Sequence, residues 1–121
     1  MVVDEPIFDI AETEEDALFL MASLHPRETG LPRVIYVSEK GQARHDARVK
    51  VSGVSGERMS VRDMATFTVR PTPTLIHGRL DRDEERAISA WIARDEAALV
   101  AYWDGEISTT ELLERLVHSG Q

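Results

Sequence analysis

Apolar residues change their spacing along the chain, and the changes mark out the elements. Thr13 followed by Glu14, Glu15 and Asp16 puts a capping hydroxyl and three acids where a helix dipole favours them. Ala17, Leu18, Leu20, Met21 and Leu24 then recur as one helical stripe. The spacing predicts a helix over residues 14–24. It should stop at His25-Pro26, because proline disfavours helical geometry in the residue before it, and Gly30 and Pro32 make the connection a loop.

The period then falls to two. Val34, Ile35, Tyr36 and Val37 are apolar on both faces and rich in β-branched residues, as in an interior strand, and residues 39–42 are a turn. Over residues 44–52 the alternation is strict, with His45, Ala47, Val49 and Val51 on one face and Arg44, Asp46, Arg48 and Lys50 on the other. Residues 52–63, with two glycines and three serines, read as a loop. Ala65, Phe67 and Val69 alternate with Thr66, Thr68 and Arg70 in a third strand, which Pro71 and Pro73 end before a short fourth over residues 74–77.

Helical spacing returns at Asp81, which with Glu84 resembles a capping box. Ile88, Trp91, Ile92, Leu99, Tyr102 and Trp103 share a face about 120° wide, suited to packing on a sheet, and Gly105 ends the helix. Ser108 with Glu111 opens a last helix that buries Leu112, Leu113, Leu116 and Val117. The order predicts an α+β fold: a small antiparallel sheet of three or four strands, with an N-terminal helix and two C-terminal helices packed on one face. The 121 residues make one domain, 1–121, in which residues 1–13 read as a disordered N-terminal segment.

Composition narrows the classes of function. Mean hydropathy is −0.27, the longest apolar runs are too short to span a bilayer, and Asp4, Glu5 and Asp9 stand where a signal peptide would carry bases. With no cysteine, the chain has no disulfide framework, thiolate metal site or nucleophilic thiol. A cytoplasmic location and no membrane association are the expectation. The four histidines lack metal-ligand spacing, so neither a metal nor another cofactor is expected.

Charge changes the picture most. The net charge of −8 divides into a basic middle, residues 31–80 with nine bases and four acids, between two acidic ends. Arg44, Arg48 and Lys50 project from one strand face, and Arg70 joins them if the third strand is a neighbour. Such a row suits phosphates, nucleic acid or an acidic partner, although no aromatic residue interleaves with it to stack on bases. The alternative is the solvated face of a half-buried sheet.

Two polar groupings raise the question of catalysis. His45 and Asp46 point to opposite faces of a strand and do not make a dyad. His45 would instead meet His77 on the inner face and recruit Asp81, giving a base with a carboxylate orienter, or else be a core histidine with a backbone partner. Asp95 falls on the apolar face of the long helix, where an unpaired carboxylate is costly. It therefore marks a break that it caps, or it bonds to an indole N–H or an arginine.

The segment Pro32-Arg-Val-Ile-Tyr-Val-Ser38, then Arg44-His-Asp-Ala-Arg-Val-Lys-Val51, then the helix with Trp91-Ile92, Asp95, Leu99 and Tyr102-Trp103 resembles families of small bacterial proteins of unknown function. In these a strand-turn-strand is followed by a helix ending in tryptophan. The resemblance implies a regulatory binding role of the toxin-antitoxin or mobile-element accessory kind, and it carries over no catalytic residue. The expectation is a non-enzymatic protein-interaction module, either monomeric or paired through an exposed sheet edge as a homodimer. Nucleic-acid or phosphate binding through the basic face is the first alternative, and an enzyme using His45 or His77 the second.

Overall fold

The computed structural model describes residues 21–60 and 62–119. Five strands, β1 (Ala22–Leu24), β2 (Ile35–Val37), β3 (Arg48–Val51), β4 (Ala65–Thr68) and β5 (Thr74–His77), form one antiparallel sheet in chain order. A helical turn, α1 (Pro26–Thr29), joins β1 to β2. Three helices follow β5: α2 (Arg82–Arg94), α3 (Glu96–Trp103) and α4 (Thr109–Ser119). The architecture is α+β, as the period changes predict, but the sheet has five strands rather than three or four.

The additional strand lies where the pattern predicts the end of a helix. Residues 14–20 and the segment 1–13 lie outside the described residues. Ala22, Ser23 and Leu24 are extended and pair with Val37, Tyr36 and Ile35. Pro26 explains the choice: it holds His25 extended, at φ −91° and ψ 157°, and a partner strand is available to continue that geometry backwards. His25 is thus not at a helix C-terminus. It opens α1, with proline in the first turn where its missing N–H costs nothing, and Glu28 accepts a bond from the His25 backbone N–H (2.8 Å). Part of the predicted loop after Pro26 is therefore helical.

The second predicted strand is shorter than its alternation. Only residues 48–51 enter the ladder: all four pair with β4, and Lys50 and Val51 also pair with β2. Upstream, the turn is held by α3: the Lys40 N–H donates to the Trp103 carbonyl (2.8 Å), and the His45 ring stacks on the Trp103 indole at 5.6 Å. These contacts hold residues 40–46 against the helical layer and away from the strand ladder.

Alternation along the strands sorts the side chains. Ile35, Val51 and Ala65 lie side by side on the inner face, as do Val49, Phe67 and Leu75. All but the half-buried Leu75 are enclosed, packed in one cluster with Ile88, Trp91, Ile92, Leu99, Tyr102, Trp103, Leu112 and Leu116 of the three long helices. Leu113 is half-buried against it, and the Val117 side chain lies outside the described residues. Burial at about 25 cal/mol per Å² of apolar surface makes this the principal source of stability.

Helix ends use the signals read from the sequence, with one change. The Glu84 N–H donates to Asp81 Oδ1 (2.8 Å), but the Glu84 carboxylate does not complete a capping box; it pairs with Arg33 instead. Ser108 and Glu111 do form the reciprocal box. The long helix breaks at Asp95. That side chain does not cap α3: Oδ2 accepts from Arg94, while Oδ1 and the nearby Trp91 Nε1 form no hydrogen bond among the described residues.

Candidate interaction surface

The outer face of the sheet is built from the residues between the core positions. Pairing sets Tyr36, Lys50, Thr66 and His77 in one row, and Arg48, Thr68 and Thr74 in the next. Towards β2 this face is closed: Val34, Tyr36 and Met64 form a second, smaller apolar cluster against which Met21 packs. Towards β5 it opens into hydroxyl and basic groups. Arg48 and Lys50 are half-buried, and β3, β4 and β5 contain no Asp or Glu.

Arg48 and Lys50 therefore share the predicted face, and the other two members of the predicted row do not. Arg44 precedes the strand and is exposed. Arg70 comes after β4 and is held by Asp46 in a bidentate pair, Nε to Oδ2 at 2.8 Å and a second guanidinium N–H to Oδ1 at 2.9 Å. The Arg70 guanidinium, then the Ala47 backbone N–H, hold the Asp46 carboxyl down at about 2, and the pair raises Arg70 in turn. The positive charge of Arg70 is thus locally matched.

The inner-face grouping of His45, His77 and Asp81 is not formed. His45 is exposed, with Nδ1 2.7 Å from the Asp46 carbonyl, because the turn before β3 leaves the strand alternation. His77 is exposed at the end of the edge strand, and Asp81 is engaged in capping α2. A bulge between Thr66 and Phe67 opposite β5 puts Leu75 inward and His77 outward. Two open depressions on the helical layer, one bordered by Arg82, Glu85 and Arg86 and the other by Arg70, Arg94 and Asp104, include neither histidine. Among the described residues no group of three His, Asp or Glu is placed to hold a metal, and no helix is long and apolar enough to cross a membrane.

Four residues that shape this surface carry no obvious sequence signal. Ser52 is completely buried at the end of β3, and its Oγ accepts the Ser60 N–H (2.9 Å), folding residues 52–63 back on themselves. Gly53 allows that fold, because a Cβ there would lie 1.5 Å from the Arg62 carbonyl oxygen. Glu57 ties the loop to α1, accepting the Arg27 backbone N–H (3.0 Å) and facing His25 Nδ1 (3.1 Å). Arg33 makes a largely buried bidentate pair with Glu84 (3.0 and 3.1 Å) and donates to the Ser52 carbonyl (3.1 Å). The alternation over residues 44–52 assigns Ser52 to the outer face with Lys50 but gives no sign of its burial; the pairing of Arg33 with Glu84, 51 residues apart, had no clue at all.

Tyr36 is the aromatic residue that the linear pattern does not place among the bases. It lies opposite Lys50, but its ring is wholly enclosed and its hydroxyl, though directed towards Ser52, forms no hydrogen bond among the described residues. Burial pushes the phenol up, with Ser52 opposing. It is not available to stack on a base.

The geometry also settles how the charges are arranged between the layers. The three long helices pack on the inner face, so the ten acids and four bases of residues 81–121 lie in the layer opposite Arg48 and Lys50. A sheet and a helical layer are separated by about 10 Å, and the basic middle meets the acidic layer locally, where Arg33 pairs with Glu84 of α2. No protein-family model, curated protein or solved structure matches the chain.

Proposed function

We propose that the chain is a non-enzymatic protein-interaction module of the cytoplasm that takes an acidic surface of a partner protein on the outer face of its sheet, with Arg48 and Lys50 at the centre. The observation that carries the reading is the placement of these two bases on a face without carboxylates in β3–β5, turned away from the acidic C-terminal helices. Strands fixed by a core on their other side make a rigid platform, and rigidity lowers the entropic cost of association. The regulatory role implied by the toxin-antitoxin or mobile-element likeness fits such a module.

A second reading, phosphate or nucleic-acid binding, draws on the hydroxyls of Thr68 and Thr74 beside the same bases. Net charge of −8 and the enclosure of Tyr36 favour the first. Affinity capture from lysate at low salt, in parallel with the Arg48→Glu/Lys50→Glu variant, tests the proposal. Proteins retained by the parent, released by salt and absent from the variant are the expected result; identical retention by both overturns it. Titration of labelled single-stranded and duplex DNA and RNA at two salt concentrations checks the second reading, for which salt-dependent binding lost in the same variant is required.

A further inference from the structure

We propose that the β5 edge pairs antiparallel with the β5 of a second copy of this chain, joining two five-stranded sheets into one continuous sheet. The contact goes beyond the outer-face reading and uses neither Arg48 nor Lys50.

The open sheet has two edges, and they differ. At β1, Leu24 is completely buried and Ala22 and Ser23 are half-buried. At β5, Thr74, Ile76 and His77 are exposed and Leu75 is half-buried. Ile76 is 47% exposed; among the described residues the other exposed large apolar side chain is Met59, in the 52–63 loop. Among the described residues the β5 backbone forms no hydrogen bond outside its ladder with β4. The N–H and C=O groups on its far side are therefore left to water or to a further strand.

The strand is already held in the geometry that such an addition needs. Before it, the Thr72 carbonyl accepts from Thr68 Oγ1 (3.0 Å) and from Thr74 Oγ1 (3.2 Å), which ties the approach to β5 onto β4. After it, Gly78, at φ 84°, lies so close to the start of β4 that a Cβ would stand 2.4 Å from the Met64 carbonyl oxygen. Between these anchors the β4 pairing passes from Leu75 to His77 and skips Ile76. A bulge re-aims the side chain it contains, and this one leaves Ile76 in solvent. An edge fixed at both ends loses little further freedom on pairing.

A second copy is the occupant because the edge is complementary to itself. An antiparallel ladder has twofold symmetry, so each strand offers the other the same donors and acceptors and the contact closes as an isologous dimer. Thr74, Leu75, Ile76 and His77 include no carboxylate, lysine or arginine, so two copies meet without these charges opposite one another despite a net charge of −8 each. In a ladder centred on Ile76 the two isoleucines become neighbours and leave solvent together. A strand rich in acids or in lysine and arginine would find no counter-charge within β5. The twofold axis stands perpendicular to the sheet, so both outer faces look the same way and the dimer presents its platform twice, which favours partners with repeated sites.

Sedimentation equilibrium of the full chain tests the pairing. Four-residue strands bury a small area, so association is weak. The mean mass should rise from 13.6 kDa towards twice that value as concentration increases from about 10 μM to about 1 mM. Because each copy carries a net charge of −8, raising salt to about 0.5 M should preserve or strengthen the dimer, whereas a contact between opposite charges would weaken. Ile76→Lys should weaken association by at least about tenfold and leave urea unfolding unchanged. If that variant does not fold, Ile76→Thr replaces it. Amide hydrogen exchange over Thr74–His77 should slow as concentration rises, and exchange over Ala22–Leu24 should not. A chain that stays monomeric throughout, a dimer indifferent to Ile76→Lys, or protection at β1 in place of β5 overturns the proposal. Protection at β5 that requires a different protein also overturns it, and assigns the edge to a partner's strand.

Discussion

The two faces of one sheet differ more than any other two regions of this protein, although their residues alternate along the same strands. Val49, Val51, Ala65 and Phe67 lie under the helices with at most 1% exposure, while their immediate neighbours Arg48, Lys50 and Thr68 line the opposite surface half-buried. Since successive side chains in a strand point to opposite faces, the core can fix the position of the outer row without contacting it. Core packing and the outer surface are thereby assigned to different residues, and a substitution on one face should have little effect on the other.

The largest test of that separation is Phe67→Ala, which should cost about 3–5 kcal/mol in urea unfolding, whereas Thr68→Ala next to it should stay within about 0.5 kcal/mol. Similar losses at the two positions would remove the distinction. Arg33→Ala comes next, at about 3 kcal/mol, because it leaves the Glu84 carboxylate enclosed without its partner. Arg33→Met/Glu84→Leu should recover most of this loss, and failure to do so would show that the pair acts chiefly through the Ser52 carbonyl.

Tyr36→Phe sharpens the boundary between the faces. Removing a buried hydroxyl that forms no hydrogen bond among the described residues should stabilise the fold by about 1 kcal/mol. The same variant tests a pH effect. Because the folded-state phenol titrates above its ordinary 10.0, the unfolded chain loses that proton first, so this group lowers stability as pH rises past 10.0. The phenylalanine variant should lack that alkaline component. The smallest effect is at Asp46, whose folded-state value of about 2 lies below the ordinary 3.8. Its contribution is present above 3.8 and is lost as pH falls through about 2. The pair is exposed, so Asp46→Asn should produce only a slight change in the acid branch of a stability profile.

Some of this organisation can be read locally. The strands at Ile35–Val37 and Ala65–Thr68 and the last helix follow from period, proline and capping residues that act over a few positions. Local pattern failed at Ala22–Leu24 and Arg44–Asp46 for one reason: a tertiary partner outweighed it. The last residues of a helix-compatible stripe, Ala22–Leu24, are a strand because β2 offered a ladder, and a strand-compatible alternation was interrupted because Trp103 and Arg70 took His45 and Asp46. His77 faces outward through a bulge, which shifts alternation without altering composition.

By itself, then, the sequence determined the α+β class, the apolar face of each long helix, and a basic middle between acidic ends, since all three depend on residue type and short-range spacing. Tertiary structure decided which bases share a surface. Arg48 and Lys50 are together because both stand in the β3–β4 ladder, Arg70 is withdrawn by Asp46 across 24 residues, and the acidic helices occupy the other face because the larger apolar cluster lies there. Long-range pairing and packing bring distant residues together, and no local pattern specifies them.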